Sequence, residues 1–132
     1  QAHGIPIRRE YIIYNEDFNL EGGARSMEKL YSLSQPPTAI FTNDEMAIGV
    51  LQKASEMNIP IPEKLSVIGF DDIEMARFFH PPLTTMKIPG SEMGRLAAKL
   101  VLDKMHEEEH LPAQRIELSP ILIERKSCIS LK

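Results

Sequence analysis

Residues 38–72, TAIFTNDEMAIGVLQKASEMNIPIPEKLSVIGFDD, decide the fold of this chain. The stretch begins with a short apolar run at 38–42, continues with apolar residues at helical spacing as far as Met57, and ends with a second apolar run at 65–70. Short apolar runs bounded by polar and proline residues are typical of buried strands. A strand, a helix and a strand in this order form a right-handed crossover between two parallel strands. The stretch therefore predicts an α/β fold built on a parallel sheet.

The sequence on both sides continues the alternation of strands and helices. Tyr11–Tyr14 has a strand-like composition and precedes an amphipathic helix that begins at Leu20, with Asn19 as its N-cap. Further along the chain, the pattern predicts a short strand at 83–88, a long helix at 91–106 that Ser91 caps, and a closing strand at 121–123. The whole chain therefore reads as one α/β domain.

The composition excludes several classes of protein. The chain has 132 residues, of which 42% are apolar, and this is enough for one domain with a single core. Its one cysteine, Cys128, excludes a disulfide scaffold and suits a reducing compartment such as the cytoplasm. Its apolar runs are too short to span a membrane. The net charge of −4 argues against a chain that itself neutralises nucleic-acid phosphates.

Residues 106–110, HEEEH, match the H-E-x-x-H pattern of zinc proteases. That chemistry needs two histidines on one helical face, a glutamate that takes a proton from the metal-bound water, and a third ligand. Here the motif lies at a helix end that Pro112 terminates, and neither His3 nor His80 has the spacing of a third ligand. We interpret it as a solvated charged turn and expect no metal site, no catalytic residue and no cofactor.

Polar residues follow both strands of the 38–72 crossover. Asn43 and Asp44 come after the first strand, and Asp71 and Asp72 after the second. In parallel sheets, ligands bind beyond the carboxyl ends of the strands. Phe18 is predicted at the same edge, where its ring either stacks on a sugar or a base or simply anchors its loop. From the spacing alone, the polar residues are helix caps, hydrogen-bonding partners of a ligand or, for the two aspartates, catalytic groups, and the pattern leaves these roles open.

Three segments resemble the signatures of the LacI/GalR family of bacterial transcription regulators, in order and at the family's spacing. They are 37–49 (PTAIFTNDEMAIG), 61–73 (IPEKLSVIGFDDI) and 82–86 (PLTTM). The resemblance covers essentially the whole chain. It implies a two-lobed periplasmic-binding-protein-like (type I) fold, in which a small effector binds between the lobes and changes the affinity for operator DNA. From this resemblance we expect the chain, which starts at Gln1, to be the C-terminal lobe of a longer regulator together with the segment that crosses to the other lobe, without the DNA-binding headpiece.

The resemblance also divides the chain. Residues 1–88 and 119–132 are expected to form the C-terminal lobe, and residues 89–118 to cross over and pack on the absent N-terminal lobe. The apolar face of the helix at 91–106 then lacks its native partner. We expect this helix to pack on the sheet of this chain or on another chain, or to be disordered.

The resemblance assigns functional residues as well. Asn43 and Asp71 occupy family positions that hydrogen-bond the effector (a sugar, a sugar phosphate or a purine-like molecule), and Phe18 occupies one that packs on it. The interface of a homodimer is implied for Ile48, Leu51, Gln52, Phe78 and Phe79. Two departures from the family pattern concern the effector. The family's binding arginine would lie upstream of Gln1, and Ile88 stands where many members have glutamine.

Two other functions use the same residues. A periplasmic sugar-binding protein of a transport system shares the fold, and would carry a leader and act as a monomer. An α/β enzyme would use the Asp71–Asp72 pair, and would show turnover or tight binding of a divalent metal that the Asp71→Asn substitution abolishes. The motifs favour the LacI/GalR-type regulator over both of these functions, and such a regulator is expected to be cytoplasmic and not an enzyme.

Overall fold

The computed structural model describes residues 4, 6–14, 17–106 and 114–130. Within them the helices are α1 (Leu20–Tyr31), α2 (Asp44–Glu56) and α3 (Gly90–His106), and the strands are β1 (Ala39–Phe41), β2 (Ser66–Asp71), β3 (Thr84–Lys87) and β4 (Ile121–Ile123). Short 3-10 turns cover Arg9–Tyr11 and Glu74–Arg77. The predicted crossover of strand, helix and strand is therefore confirmed as β1, α2 and β2.

The strands form one sheet in the order β1-β2-β3-β4. β1, β2 and β3 are parallel, as the crossover predicts, whereas β4 is antiparallel to β3. The expectation of a parallel sheet is therefore wrong for this last strand. Ile121, the first residue of β4, pairs with Lys87, the last residue of β3, so the chain re-enters the sheet at the end where β3 leaves it. Strand composition does not reveal this direction, because parallel and antiparallel ladders accept the same residues.

Asparagine side chains start α1 and α2. The Oδ1 atom of Asn19 accepts a hydrogen bond from the backbone N–H of Gly22 at 2.9 Å, and Oδ1 of Asn43 accepts one from the N–H of Met46 at 2.8 Å. Each bond satisfies an N–H group that has no partner within its helix. The N-cap expected at Asn19 is confirmed, and Asn43 caps α2 in the same way. α3 begins at Gly90, one residue before its predicted start.

α1 and α2 cross with their backbones in contact at two glycines. A Cβ added to Gly23 would lie closer than 3.0 Å to the carbonyl oxygen of Met46, and one added to Gly49 would lie closer than 3.0 Å to that of Leu20. Real Cβ atoms essentially never come this close to another heavy atom, so only glycine permits the crossing. The close approach brings the apolar faces of both helices together over β2. The core there consists of Met27, Ala47, Val50, Leu51, Ala54 and Val67 with their neighbours.

The strand expected at Tyr11–Tyr14 does not form. A 3-10 turn ends at Tyr11, whose N–H donates to the carbonyl of Arg8 and whose hydroxyl donates to the carbonyl of Gln35 at 2.7 Å. These bonds fix the start of the segment beside the loop before β1, and a groove of about 160 Å³ lies between it and β1. A strand needs a neighbour at ladder distance. Among the described residues Tyr11–Tyr14 has none, so its favourable composition does not produce a strand.

The apolar face of α3 is exposed. Met93, Val101, Leu102 and Met105 are between 48% and 74% exposed, and α3 makes no extensive contact with any other helix or strand that the structure describes. Of the three outcomes expected for this helix, packing on the sheet of its own chain and disorder are therefore wrong, and packing on another chain stays a prediction. No helix among the described residues is both long enough and apolar enough to cross a bilayer.

Candidate functional site

A cleft of about 500 Å³ opens at the carboxyl ends of β1 and β2. Its lining residues are Ile13, Phe18, Phe41, Thr42, Asn43, Met46 and Phe70. The cleft lies where parallel strands bring the residues that follow them to one edge of the sheet, which is the usual position of ligands in such sheets. Two of the predicted site residues, Phe18 and Asn43, are brought together here. The third, Asp71, is not part of the lining.

Aromatic rings form most of the apolar wall of the cleft. Phe18 is 69% exposed and Phe41 is 65% exposed, although phenylalanine side chains are usually buried. The rings of Phe41 and Phe70 meet edge to face, with centroids 6.3 Å apart and planes at 83°. Exposed rings in a concave surface are suited to pack on the apolar faces of sugars or bases.

The sequence pattern misses two of these rings. Phe41 and Phe70 lie within apolar strands and therefore read as core residues. The strand register carries the missing information. Phe41 is paired with Ile68 in the parallel ladder, so it lies on the same face of the sheet as Phe70, two residues later. The helices α1 and α2 pack on the opposite face, where Val67 is buried.

The two polar atoms of the Asn43 side chain have different roles in α2 and in the cleft. Its Oδ1 atom caps the helix, as described above, and its amide nitrogen donates to none of the described residues. The side chain thus keeps a hydrogen-bond donor for a ligand. The capping and ligand-binding roles that the sequence leaves open are compatible, because capping uses the oxygen and leaves the nitrogen.

Asp71 ends β2 directly after Phe70, in an unusual backbone conformation. Its φ is 123°, and that of Asp72 is 57°, a range that few residues other than glycine, asparagine and aspartate enter. The carboxylate is partly buried and has no hydrogen bond with a described residue. Burial and, second, the negative charge of Asp44 raise the pKa of Asp71 above its usual value. A carboxylate whose charged form is disfavoured in this way is a feature of many functional sites.

Asp72 is engaged in a largely buried ion pair. Nη2 of Arg125 lies 2.6 Å from Oδ1 of Asp72, and the two side chains are 18% and 13% exposed. The same guanidinium donates to the carbonyl oxygen of Leu83 at 2.7 Å. Of the two adjacent aspartates, Asp71 alone therefore has a carboxylate without a partner among the described residues. This arrangement does not favour an enzyme in which the two carboxylates act together.

The polar groups of the cleft suit a neutral ligand. Among the described residues, its polar side chains are those of Asn43 and Thr42. The amide nitrogen of Asn43 is able to donate to a ligand, and the hydroxyl of Thr42, which donates to Sδ of Met46 at 3.4 Å, is able to accept from one. Among the described residues, no group of three or more His, Cys, Asp or Glu side chains is placed to hold a metal ion. The HEEEH motif at 106–110 lies outside the described residues, except for the helical backbone at His106.

The residues assigned to a dimer interface differ in exposure. On α2, Ile48 is partly buried and Gln52 is exposed, whereas Leu51 is only 7% exposed and belongs to the core. After β2, Phe78 is 66% exposed, whereas Phe79 packs against the core. Leu51 therefore presents little surface to a partner in this chain, whereas Phe79 is only partly buried. The assignment of the five residues to a dimer interface stays a prediction.

The raised pKa of Asp71 predicts how its substitution changes the thermal stability of the chain at different pH values. Its pKa is higher in the folded chain than in the unfolded chain, so its ionised form costs stability above the folded pKa, and this cost is absent below the unfolded pKa. Asp71→Asn removes the cost and tolerates the positive φ. We expect it to raise Tm by about 1–3 °C at about pH 7 and to leave Tm unchanged near about pH 3.

Thermal unfolding followed by circular dichroism at both pH values tests this prediction. The exposed residue Glu63 provides the matched control, Glu63→Gln, which is expected to leave Tm unchanged at both. A gain in Tm for Asp71→Asn that is equally large at low pH would contradict the stated cause.

The chain is similar in sequence to a known domain family and to several transcriptional repressors. The chain matches the family model of the periplasmic binding protein-like domain over residues 1–128. It is 39% identical over 126 residues to the HTH-type transcriptional repressor PurR of Photorhabdus laumondii subsp. laumondii, covering 95% of this chain and 36% of the repressor. It is 46% identical over 103 residues to the repressor CytR of Escherichia coli K12, covering 77% of this chain and 30% of the repressor. The chain therefore spans about a third of the length of the curated relatives it matches.

Solved structures share the fold. A transcriptional regulator LacI from Bacillus cereus subsp. cytotoxis superposes with a TM-score of 0.90 at 33% identity, over 96% of this chain and 45% of that one. A LacI family transcriptional regulator from Enterococcus faecium with bound ribose superposes with a TM-score of 0.73 at 34% identity, over 87% of this chain and 42% of that one.

Proposed function

The chain belongs to the family of periplasmic binding protein-like domains, in its LacI/GalR group, and on this premise we propose that it forms the effector-binding and dimerising part of a bacterial transcriptional regulator. Its relatives are named as transcriptional repressors, which favours a regulator over a periplasmic sugar-binding protein of a transport system. Operator DNA would be bound by a headpiece outside this chain. Because that DNA is in the cytoplasm, the proposal also assigns the protein to the cytoplasm, without an enzymatic activity.

The observation that carries the proposal is the cleft beyond β1 and β2. It combines two exposed phenylalanine rings with an amide donor at Asn43, and the carboxylate of Asp71 follows directly on Phe70 of its wall. Rings that pack on an apolar face and polar groups that bind hydroxyls together recognise a sugar. The volume of about 500 Å³ is ample for a monosaccharide or a disaccharide.

The charge of the cleft narrows the class of effector. Among the described residues, no lysine, arginine or histidine side chain lines the cleft, so these residues offer no cation to a phosphate group. We therefore favour a neutral sugar over a sugar phosphate, with a purine-like molecule stacked between the rings as the second candidate. A regulator of this fold from Enterococcus faecium holds ribose, which supports the first choice.

The domain boundaries and the dimer belong to the same proposal. Residues 1–88 and 119–132 would form one lobe, and residues 89–118 would pack on the other, which is consistent with the exposed apolar face of α3. The homodimer would use the exposed side chains of Gln52 and Phe78 with the partly buried Ile48. Phe79, which is partly buried, would contribute its exposed part to the interface beside Phe78. Leu51 would pack beneath Ile48 and Gln52 in the core.

In this scheme, the effector acts by differential binding. It contacts both lobes and so stabilises the arrangement in which they are closed around it, and the headpieces of the dimer follow that arrangement. A ligand shifts the population only by the difference between its affinities for the two arrangements. This lobe contributes the aromatic wall and the groups at Asn43 and Asp71.

A thermal-shift screen of the two-lobed regulator tests the function. The panel contains ribose and other monosaccharides, disaccharides, sugar phosphates, purines and nucleosides, and we expect a neutral sugar to raise Tm. In the variant Asn43→Ser, the serine still caps α2 but lacks the amide donor, so we expect the affinity for that sugar to fall by about 10-fold while Tm without ligand stays the same. If no member of the panel raises Tm, or if the variant binds as tightly as the wild type, the proposal is contradicted.

A further inference from the structure

Asp44, the first residue of α2, is a fully buried carboxylate that the proposed site does not use. It is 0% exposed, although charged side chains are almost never completely buried without partners. Its Oδ1 atom accepts a hydrogen bond from the Thr85 hydroxyl at 2.5 Å, and its Oδ2 atom accepts one from the backbone N–H of Ile73 at 2.9 Å. One side chain thereby joins α2, β3 and the loop that follows β2.

The fold is shaped around this carboxylate. A Cβ added to Gly69 of β2 would lie closer than 3.0 Å to Oδ1 of Asp44, so the carboxylate lies directly against the strand backbone. Gly69 is buried, and Thr85, its partner in the β2–β3 register, is buried as well. A glycine and a threonine in neighbouring strands therefore make room for one carboxylate and supply its hydroxyl donor.

The backbone tethered by Asp44 is the one that carries Asp71. The bond to Ile73 comes directly after Asp71 and Asp72, the two residues with positive φ. Such conformations persist only where surrounding contacts hold them. Asp72 is held through Arg125, and Ile73 is held through Asp44. The pair of strained residues is therefore fixed by a side-chain contact at Asp72 and a backbone contact at the next residue.

We propose that Asp44 is a positioning residue for the effector site: its bond to the Ile73 N–H holds the turn after β2 in the conformation that presents the Asp71 carboxylate at the sheet edge. Asp44 does not touch the effector and acts through Asp71. The consequence for ligand affinity rests on the proposed function, whereas the consequence for the turn does not.

Substitutions separate the tether from the charge. Asp44→Asn keeps an oxygen that accepts from Ile73 and an amide that donates to Thr85, so the tether survives without the charge. Asp44→Ala removes both bonds. Val50→Ala, also in α2 and in the core, destabilises the chain but leaves both hydrogen bonds of Asp44 in place, and it serves as the matched control.

The first measurement needs no ligand. NMR backbone couplings that report φ at Asp71 and Asp72, together with amide hydrogen exchange at Ile73, are recorded for each variant. We expect Asp44→Asn and Val50→Ala to keep the positive φ values, and Asp44→Ala to lose them and to exchange the Ile73 amide faster. Positive φ values retained in Asp44→Ala would overturn the proposal. If Asp44→Ala does not fold, Thr85→Val is compared with Thr85→Ser. Valine removes the hydroxyl that holds Oδ1 of Asp44 and so frees the carboxylate to turn away from Ile73, whereas serine keeps it. We then expect loss of the positive φ values and faster exchange of the Ile73 amide only for valine, and no change in Thr85→Val would overturn the proposal.

The second measurement uses ribose, or the sugar that the screen identifies, and isothermal titration calorimetry of the two-lobed regulator. We expect Asp44→Ala to weaken binding by about 10-fold or more, and Asp44→Asn and Val50→Ala to stay within about 3-fold of the wild type. Equal losses in Asp44→Ala and Val50→Ala would mean a general effect of stability and would overturn the positioning role. If no ligand binds but the turn changes as expected, the proposed function has failed and the positioning of the turn stands.

Discussion

Gly49→Ala is expected to lower the free energy of unfolding by about 3 kcal/mol, at the upper end of the range for overpacked cores. The added methyl group would overlap the carbonyl oxygen of Leu20, and a backbone atom of α1 moves only if the whole helix moves. Separating α1 from α2 opens the core between Met27 and Val50. The better helix propensity of alanine, about 1 kcal/mol, offsets only part of this loss.

Urea unfolding followed by circular dichroism measures the effect, because the midpoint shifts while the slope stays constant if only the native state changes. Gly94→Ala is the matched control. Gly94 lies within α3, where an added Cβ meets no atom within 4 Å, so the same substitution should cause no loss of stability. Similar unfolding midpoints for Gly49→Ala and the wild type would show that α1 and α2 do not cross as closely as described.

Asp71→Asn is expected to weaken effector binding by about 10-fold to 100-fold, because hydrogen bonds to a charged acceptor contribute about 1.5–3 kcal/mol and a neutral amide loses most of this. Asparagine preserves the size of the side chain and tolerates the positive φ at this position. The loss therefore reports the charge and not a collapse of the turn. Isothermal titration calorimetry with the sugar identified in the screen measures it.

The opposite signs of two effects make this substitution informative. The same Asp71→Asn change is expected to stabilise the free protein near about pH 7, as argued above from the raised pKa. A residue that lowers the stability of the free protein but strengthens its binding of a ligand is typical of a binding site. Asp72→Asn provides the contrast, because loss of its ion pair with Arg125 should lower stability. If Asp71→Asn binds the sugar as tightly as the wild type, Asp71 is not an effector contact.

Local sequence patterns were sufficient to predict the elements whose formation depends on residues close together in the chain. The crossover of β1, α2 and β2 follows from apolar runs and helical spacing, and Asn19 is recognisable as a cap because it precedes a helix whose N–H groups need an acceptor. Tyr11–Tyr14 shows the limit of the same reasoning. Its composition favours a strand, but strand formation depends on a partner at ladder distance, and the bonds of Tyr11 to Arg8 and Gln35 hold its start in a turn.

The site was only half visible in the sequence, for a related physical reason. Asn43 is recognisable because it follows the end of β1. Phe18 lies in the cleft as expected, but the strand that the pattern predicts before it, at Tyr11–Tyr14, does not form, so the reasoning that placed it there is wrong. Phe41 is not recognisable, because its exposure depends on which face of the sheet the helices α1 and α2 cover, and that is a property of tertiary packing. Asp44 reads as an ordinary N-terminal helix residue, and only the structure shows that it is buried against Gly69. Contacts between residues far apart in the chain are what the pattern lacks.

The most direct test of an effector site at this edge of the sheet is to map ligand-induced shifts of backbone amide resonances in the isotope-labelled two-lobed regulator, titrated with the sugar identified in the screen. Binding in the cleft predicts that, within this chain, the largest shifts fall on residues 41–43 and 70–73. The Asn43→Ser and Asp71→Asn variants should need more sugar to reach the same shifts. Shifts that leave these residues unchanged and fall instead on β4 or the outer face of α2 would contradict the site.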